Sequence, residues 1–91
     1  MLEIKGRTVV ITGGATGIGF GIAKACGALG ANVVIGEPRE SRLDEAVANL
    51  AELGVDARAF PLDVTDAEQF AQFADSAFAA FGDVALVVNN A

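Results

Sequence analysis

The sequence contains no histidine, no tryptophan, no tyrosine and a single cysteine. Without histidine, and with one thiol, no side chains are spaced to hold a metal ion. Cys26 has no partner for an internal disulfide. It falls four residues after Ile22 on an apolar helical face, so it reads as a packing residue rather than a reactive thiol. Cations are scarce: six Lys and Arg stand against twelve Asp and Glu, for a net charge of −6. That balance argues against nonspecific binding to nucleic acid or to an anionic membrane. Long hydrophobic runs are missing too. The longest candidate, Val84 to Val88, is strand-sized and far short of the ~18 residues that cross a bilayer, so no membrane segment is expected. The start, Met1-Leu2-Glu3-Ile4-Lys5, has neither the basic cluster nor the apolar core of a secretory signal, and the expected compartment is the cytoplasm.

What remains is an apolar chain of 91 residues, enough for one small domain. Apolar residues make up 53% before the 11 glycines are added, an excess that suits the interior of a larger protein. Apolar runs alternate with helical periodicity in the order β-α-β-α-β-α-β. Thr8-Val9-Val10-Ile11 predicts a strand, and Ile18, Ile22, Cys26 and Leu29 predict the buried face of a helix that Gly30 ends. Asn32 to Ile35 predicts a second strand. Ser41 and Asp44 form a capping-box-like start for a helix burying Leu43, Val47, Leu50 and Leu53, closed by Gly54. Ala57 to Leu62 predicts a third strand. Thr65 and Glu68 open a helix that buries Phe70, Phe73, Ala77 and Phe81 and stops at Gly82, the phenylalanines being a core face rather than a binding stripe. Val84 to Val88 predicts a fourth strand covered on both faces. Strands joined by such helices predict an α/β fold, a doubly wound parallel sheet in the order 3-2-1-4.

The segment with chemical content joins strand one to helix one: Thr12-Gly13-Gly14-Ala15-Thr16-Gly17-Ile18-Gly19. A tight strand-to-helix turn needs positive φ at some positions and bare backbone where a ligand passes, and glycine meets both needs. The helix that follows presents unpaired N–H groups and about half a positive charge to whatever sits above the turn, a seat for a pyrophosphate. Gly19 and Gly21 are expected to let the helix approach the sheet closely. A P-loop is excluded because no Gly-Lys-Ser/Thr closes the segment, and GxGxxG is not matched because position 22 is isoleucine. The pattern is TGxxxGxG.

Downstream residues support a dinucleotide. Strand two ends at Gly36-Glu37, and Glu37 lies eighteen residues beyond Gly19, close to the ~20 expected for an acid that accepts from the adenosine ribose hydroxyls. Such an acid favours NAD over NADP. At about 4 Å and an effective dielectric near 20, repulsion of a 2′-phosphate is on the order of 4 kcal/mol. Arg39 is the one nearby cation able to offset it. Asp63 and Val64 at the end of strand three, and Asn89, Asn90 and Ala91 at the end of strand four, fall on the same carboxyl edge, where open α/β sheets hold ligands.

Together these residues resemble the short-chain dehydrogenase/reductase family, over the whole chain. TGxxxGxG, Asp63-Val64 and Asn89-Asn90-Ala91, the start of an NNAG motif, are three motifs in the family's order. The resemblance implies a Rossmann sheet and an enzyme that oxidises alcohols or reduces ketones with NAD(P). It also implies that Gly13, Thr16, Gly17, Ile18 and Gly19 line the pyrophosphate, that Glu37 holds the ribose, and that Asp63 accepts from the adenine amino group beside the Val64 backbone. Asn89 would brace the central strands, with Asn90 and Ala91 along the cofactor. Gly21 stands where alanine is common, and Ala85 replaces the aspartate that often opens strand four. The family's catalytic serine, YxxxK pair and further asparagine lie beyond NNAG, and this sequence has no tyrosine. The expectation is therefore the amino-terminal, NAD-binding portion of a longer enzyme, residues 1–91 forming one domain that is inactive alone and lacks the nicotinamide half of the site. An open edge on strand four is expected to drive homo-oligomerisation. Two other readings stay open: a stand-alone nucleotide-binding or structural α/β module, and a Rossmann relative for S-adenosylmethionine or flavin, which Asp63-Val64 and Asn89-Asn90-Ala91 disfavour.

Overall fold

Five consecutive residues from Thr8 to Thr12 are buried, as a central strand with helices on both faces requires. In the computed structural model, which describes residues 3–90, that strand is β1 (Thr8–Thr12). It is followed by α1 (Gly17–Ala28), β2 (Asn32–Glu37), α2 (Glu40–Glu52), β3 (Ala57–Pro61), α3 (Ala67–Phe81) and β4 (Leu86–Asn89). The four strands form one parallel sheet in the order β3-β2-β1-β4, the expected doubly wound arrangement. No helix among the described residues is long and apolar enough to cross a membrane.

The period-2 geometry of the strands sorts the core into two layers. Val9, Ile11, Val33 and Ile35 point to one face and pack with Ala23 of α1 and with Ala46 and Leu50 of α2. Val10 and Val34 point to the other and meet Phe73 and Ala77 of α3. Several predicted faces are rotated or displaced. Leu29 is 65% exposed and Leu53 60%, because α1 and α2 turn Gly19, Ala23, Ala46 and Leu50 inward. Phe70 is 47% exposed, since α3 buries Phe73 and Ala77 and leaves the preceding turn at its rim.

The helix starts also differ from expectation. The turn of α2 begins ahead of Ser41, because the amide of Arg39 donates to Oε1 of Glu37 at 3.2 Å and the amide of Arg42 to the Arg39 carbonyl at 3.0 Å. Arg39, not a Ser41 capping box, is the N-cap. In α3 the cap is Asp66, which accepts from the amide of Gln69 at 3.1 Å. Thr65 is engaged elsewhere: its amide and hydroxyl both donate to Oδ1 of Asp63. Gly82 ends α3 in the left-handed region, as its position predicts.

β4 departs most. The sequence predicts cover on both faces from Val84 to Val88; Leu86 and Val88 pack against one core layer and Val84, ahead of the strand, against the other, but Val87 is 59% exposed, because α3 lies mainly over β3 and β2. Its foot is nonetheless anchored. Asp83 accepts from the Thr8 hydroxyl at 2.8 Å, from the Thr8 amide at 3.3 Å and from Nε of Arg7 at 3.2 Å. The Thr8 hydroxyl, ahead of the Arg7 and Thr8-amide bonds, holds the Asp83 carboxyl below its ordinary range. A carboxylate two positions before Ala85 thus clamps the start of the strand that Ala85 leaves without one.

Candidate functional site

The crevice is built around the turn between β1 and α1. Gly13 and Gly17 take φ values of 67° and 63°, a region that side-chain-bearing residues rarely adopt, so the bend depends on glycine at both. The Gly13 amide donates to the Gly36 carbonyl at 2.8 Å, tying the bend to the end of β2. Gly19 meets a second demand. A Cβ there would stand 2.2 Å from the Gly13 carbonyl oxygen and 2.8 Å from Nδ2 of Asn90, so the first turn of α1 lies directly on the bend it follows. Gly21 does not share this role: a Cβ there would meet nothing within 4 Å, and the residue is exposed. Thr16, the N-cap, makes no side-chain cap bond, and no acidic residue stands in the first turn of α1. The positive end of the helix dipole is left for an anion. Ile18, 76% exposed, sits on this open end.

Glu37 closes the adjacent side. Its carboxylate is 2% exposed and accepts from Nε of Arg39 at 2.7 Å, while Nη2 of the same guanidinium donates to the Thr16 hydroxyl at 3.2 Å. Burial pushes the Glu37 carboxyl up, but hydrogen bonds from the Arg39 side chain and amide, with the charges of Arg39 and Arg42, outweigh it and bring the group below its ordinary range. The carboxylate is therefore ionised at neutral pH despite its burial.

At the head of β4 the Thr12 hydroxyl is the hub. It donates to Oδ1 of Asn89 at 2.9 Å and accepts from the Asn90 amide at 3.0 Å, and Nδ2 of Asn90 reaches the Gly13 carbonyl at 3.4 Å. Asn89 thus braces β1 against β4, its register partner being Thr12 itself. Asp63 and Val64 follow β3 at the same carboxyl edge and are exposed, but their bonds run locally. The Asp63 carboxylate takes the Thr65 hydroxyl at 2.7 Å, which lowers its pKa, and the Asp63 amide donates to the Gln69 side chain. The structure therefore links Gly13, Thr16, Gly17, Gly19, Glu37 and Asn90 into one contiguous group and leaves Asp63 and Val64 beside it. Ala91 lies outside the described residues. Sequence reasoning missed two participants. Thr12 opens the TGxxxGxG pattern without a role of its own there, although a hydroxyl at the buried end of an apolar strand signals a polar partner. Spacing marks Arg39 as a nearby cation and carries no sign that it bridges Glu37 and Thr16.

Comparison with known proteins agrees with this fold. The model of the short chain dehydrogenase family matches residues 7–91. The C alpha-dehydrogenase of Sphingobium is 39% identical over 90 residues, which are 99% of this chain and 30% of that protein. A short chain dehydrogenase/reductase from Burkholderia phymatum in complex with NAD superposes with a TM-score of 0.90 at 33% identity, covering 96% of this chain and 31% of that one. A metagenomic short-chain oxidoreductase in complex with NADP gives 0.89 at 32%, over 99% and 41%. The chain spans about a third of the length of the curated relatives it matches. The motifs, the strand order and these likenesses agree, and the chain belongs to the short chain dehydrogenase family.

Proposed function

We propose that the chain is the dinucleotide-binding part of an oxidoreductase that transfers hydride between an alcohol or ketone and NAD, with NAD preferred over NADP. The observation that carries this reading is the convergence of the uncapped start of α1 with the buried Glu37 carboxylate across one bend, joined by Arg39. The donor set suits the cofactor: bare amides where a diphosphate carries charge, and an acceptor where a sugar carries hydroxyls. Gly13, Thr16, Gly17, Ile18 and Gly19 line the diphosphate, and Glu37 takes the ribose. Asp63 and the Val64 backbone take the adenine, and Asn90 and Ala91 run along the cofactor. When bound, the dinucleotide would carry the hydride, accepting it from an alcohol in its oxidised form or giving it to a ketone in its reduced form. Residues 1–91 act as one binding unit of a longer cytoplasmic enzyme, a setting that a single cysteine suits. The chain alone turns nothing over, since it carries no tyrosine to move the proton.

Titration with NAD, followed by amide NMR, tests this. Saturable shifts at Gly17, Ile18 and Gly19 are expected, with a Kd on the order of millimolar, because only the adenosine half is held. No NADH should appear from any alcohol offered with NAD. Silent turn amides would remove the nucleotide reading, and steady NADH production would remove the claim of inactivity.

The same proposal includes homo-oligomerisation through β4. The outer edge of that strand is unpaired among the described residues, and Val87 and Phe70 flank an apolar groove of about 150 Å³ that runs under α3. Sedimentation equilibrium over a hundredfold concentration range should show reversible association, weakened by Val87→Lys. A single monomeric mass throughout would rule it out.

A further inference from the structure

Among the described residues the sheet has two outer edges, on β4 and on β3, and they are built differently. The Asp56 carbonyl takes the Val33 amide at 3.0 Å and the Leu62 amide reaches the Glu37 carbonyl at 3.1 Å, so these two groups, at either end of β3, face β2. Alternation along the strand then turns the backbone groups of Ala57, Ala59 and Pro61 outward. The Ala57 carbonyl is already taken there, by Nη1 of Arg58 at 3.1 Å. Pro61 has no N–H to give. An added strand needs consecutive outward donors and acceptors, and Ala59 alone keeps both free on this edge among the described residues.

The Arg58 guanidinium is held in place from two further directions. It pairs with the Asp56 carboxylate, and its Cζ lies 5.0 Å from the centre of the Phe81 ring, so the side chain is fastened around the edge. The position matters because an apolar groove of about 330 Å³, lined by Leu43, Val47 and Phe60 among others, opens between α2 and this strand. A bare strand edge beside an apolar groove recruits another chain.

We propose that Arg58 and Pro61 close the outer edge of β3 to strand addition, so that a second copy of the chain docks at β4 alone and assembly stops at a two-fold dimer. The dimer rests on the β4 association proposed above; the closure of β3 does not. Two like edges that meet make a self-complementary contact with nothing left to repeat, whereas β4 of one copy laid on β3 of the next would repeat without end. Closing β3 removes the second mode. The product is one continuous sheet with β3 of each copy at its ends.

Sedimentation equilibrium and amide exchange, on the 91-residue chain and on an Arg58→Thr/Pro61→Val variant, test this. The unaltered chain should fit monomer and dimer only, with the Ala59 amide exchanging as fast in concentrated solution as in dilute. The variant frees the carbonyl of residue 57 and adds a donor at position 61. It should form species beyond the dimer, in which exchange at Ala59 slows at least about tenfold. Loss of fold would instead speed exchange across the whole sheet, at the buried Val33, Val34 and Ile35 included, and is not mistaken for strand addition. Species beyond the dimer in the unaltered chain, protection of its Ala59 amide on association, or a variant that assembles no further than its parent would each overturn the proposal. If the unaltered chain stays monomeric, the β4 reading falls and the dimer with it. The closure of β3 is then upheld by a variant that associates with Ala59 protected, and overturned by one that also stays monomeric.

Discussion

Gly19→Ala is expected to abolish measurable NAD binding and to lower Tm by about 5–20 °C, the effect on a domain of this size of losing about 1–3 kcal/mol to overpacking. The added Cβ would sit 2.2 Å from the Gly13 carbonyl oxygen, and that atom belongs to the bend itself, so no flexible side chain can give way. Relief requires the first turn of α1 to lift off the bend. That displaces the Gly17 and Ile18 amides and breaks the contact from Asn90 to Gly13, so the diphosphate seat is lost with the packing. Gly21→Ala is the matched control: two residues along the same helix, it adds the same methyl into open space. Alanine exceeds glycine in helix interiors by about 0.8–1 kcal/mol, so this variant should melt higher and bind NAD as the unaltered chain does. Thermal unfolding and cofactor titration of the two variants side by side decide the matter. A Gly19→Ala protein as stable and as competent as its parent would show that the close approach of α1 to the glycine bend does not shape the site.

Glu37→Gln is expected to move the relative affinity for NADP over NAD upward by one to two orders of magnitude. The amide keeps the size of the side chain and can still accept from Arg39, but it removes a buried negative charge from the place where a 2′-phosphate would lie. Full repulsion at about 4 Å is on the order of 4 kcal/mol at an effective dielectric near 20, and the Arg39 guanidinium at 2.7 Å already offsets part of it, which sets the smaller range. Most of the change should come from NADP binding more tightly, with a severalfold loss for NAD from the weaker acceptor. Parallel titrations with both cofactors measure the ratio directly. An unchanged ratio would mean that Glu37 does not face the sugar.

The element order and the strand order 3-2-1-4 were legible because β-branched runs such as Val33-Val34-Ile35 alternate with helical periodicity and the crossovers leave few topologies. Helix starts were less legible because capping depends on which side chain is left uncommitted. Thr65 looks like the cap of α3 until its hydroxyl is seen on Asp63, which leaves Asp66 to receive the Gln69 amide. Helix faces misled for a different reason. In a chain this apolar, Leu29, Leu53 and Phe70 satisfy a buried pattern as well as the residues that are buried, and periodicity cannot break the tie. The glycine bend was legible from spacing because Gly13 and Gly17 take positive φ there, and so was the place of Glu37 at the end of β2. The roles of Thr12 and Arg39 were not. Their partners, Asn89 and Thr16, lie 77 and 23 residues away, distances over which only the folded sheet supplies a neighbour.

The two side-chain clamps on β4 bear on how the chain reaches its native state. Thr8 holds Asp83 across 75 positions and Thr12 holds Asn89 across 77, so the pairing of first and last strands is the largest loop closure in the molecule. Contacts of such high order gain nothing until the intervening helices have condensed, and the entropy of closing the loop falls on that single step. Because β1 is central and β4, among the described residues, registers on β1 alone, the carboxyl rim of this sheet is complete only once that long-range pairing has formed. A ribosome extruding this chain would therefore display the glycine bend well before the asparagines that secure it, and competence at that rim would arrive as one late, cooperative event.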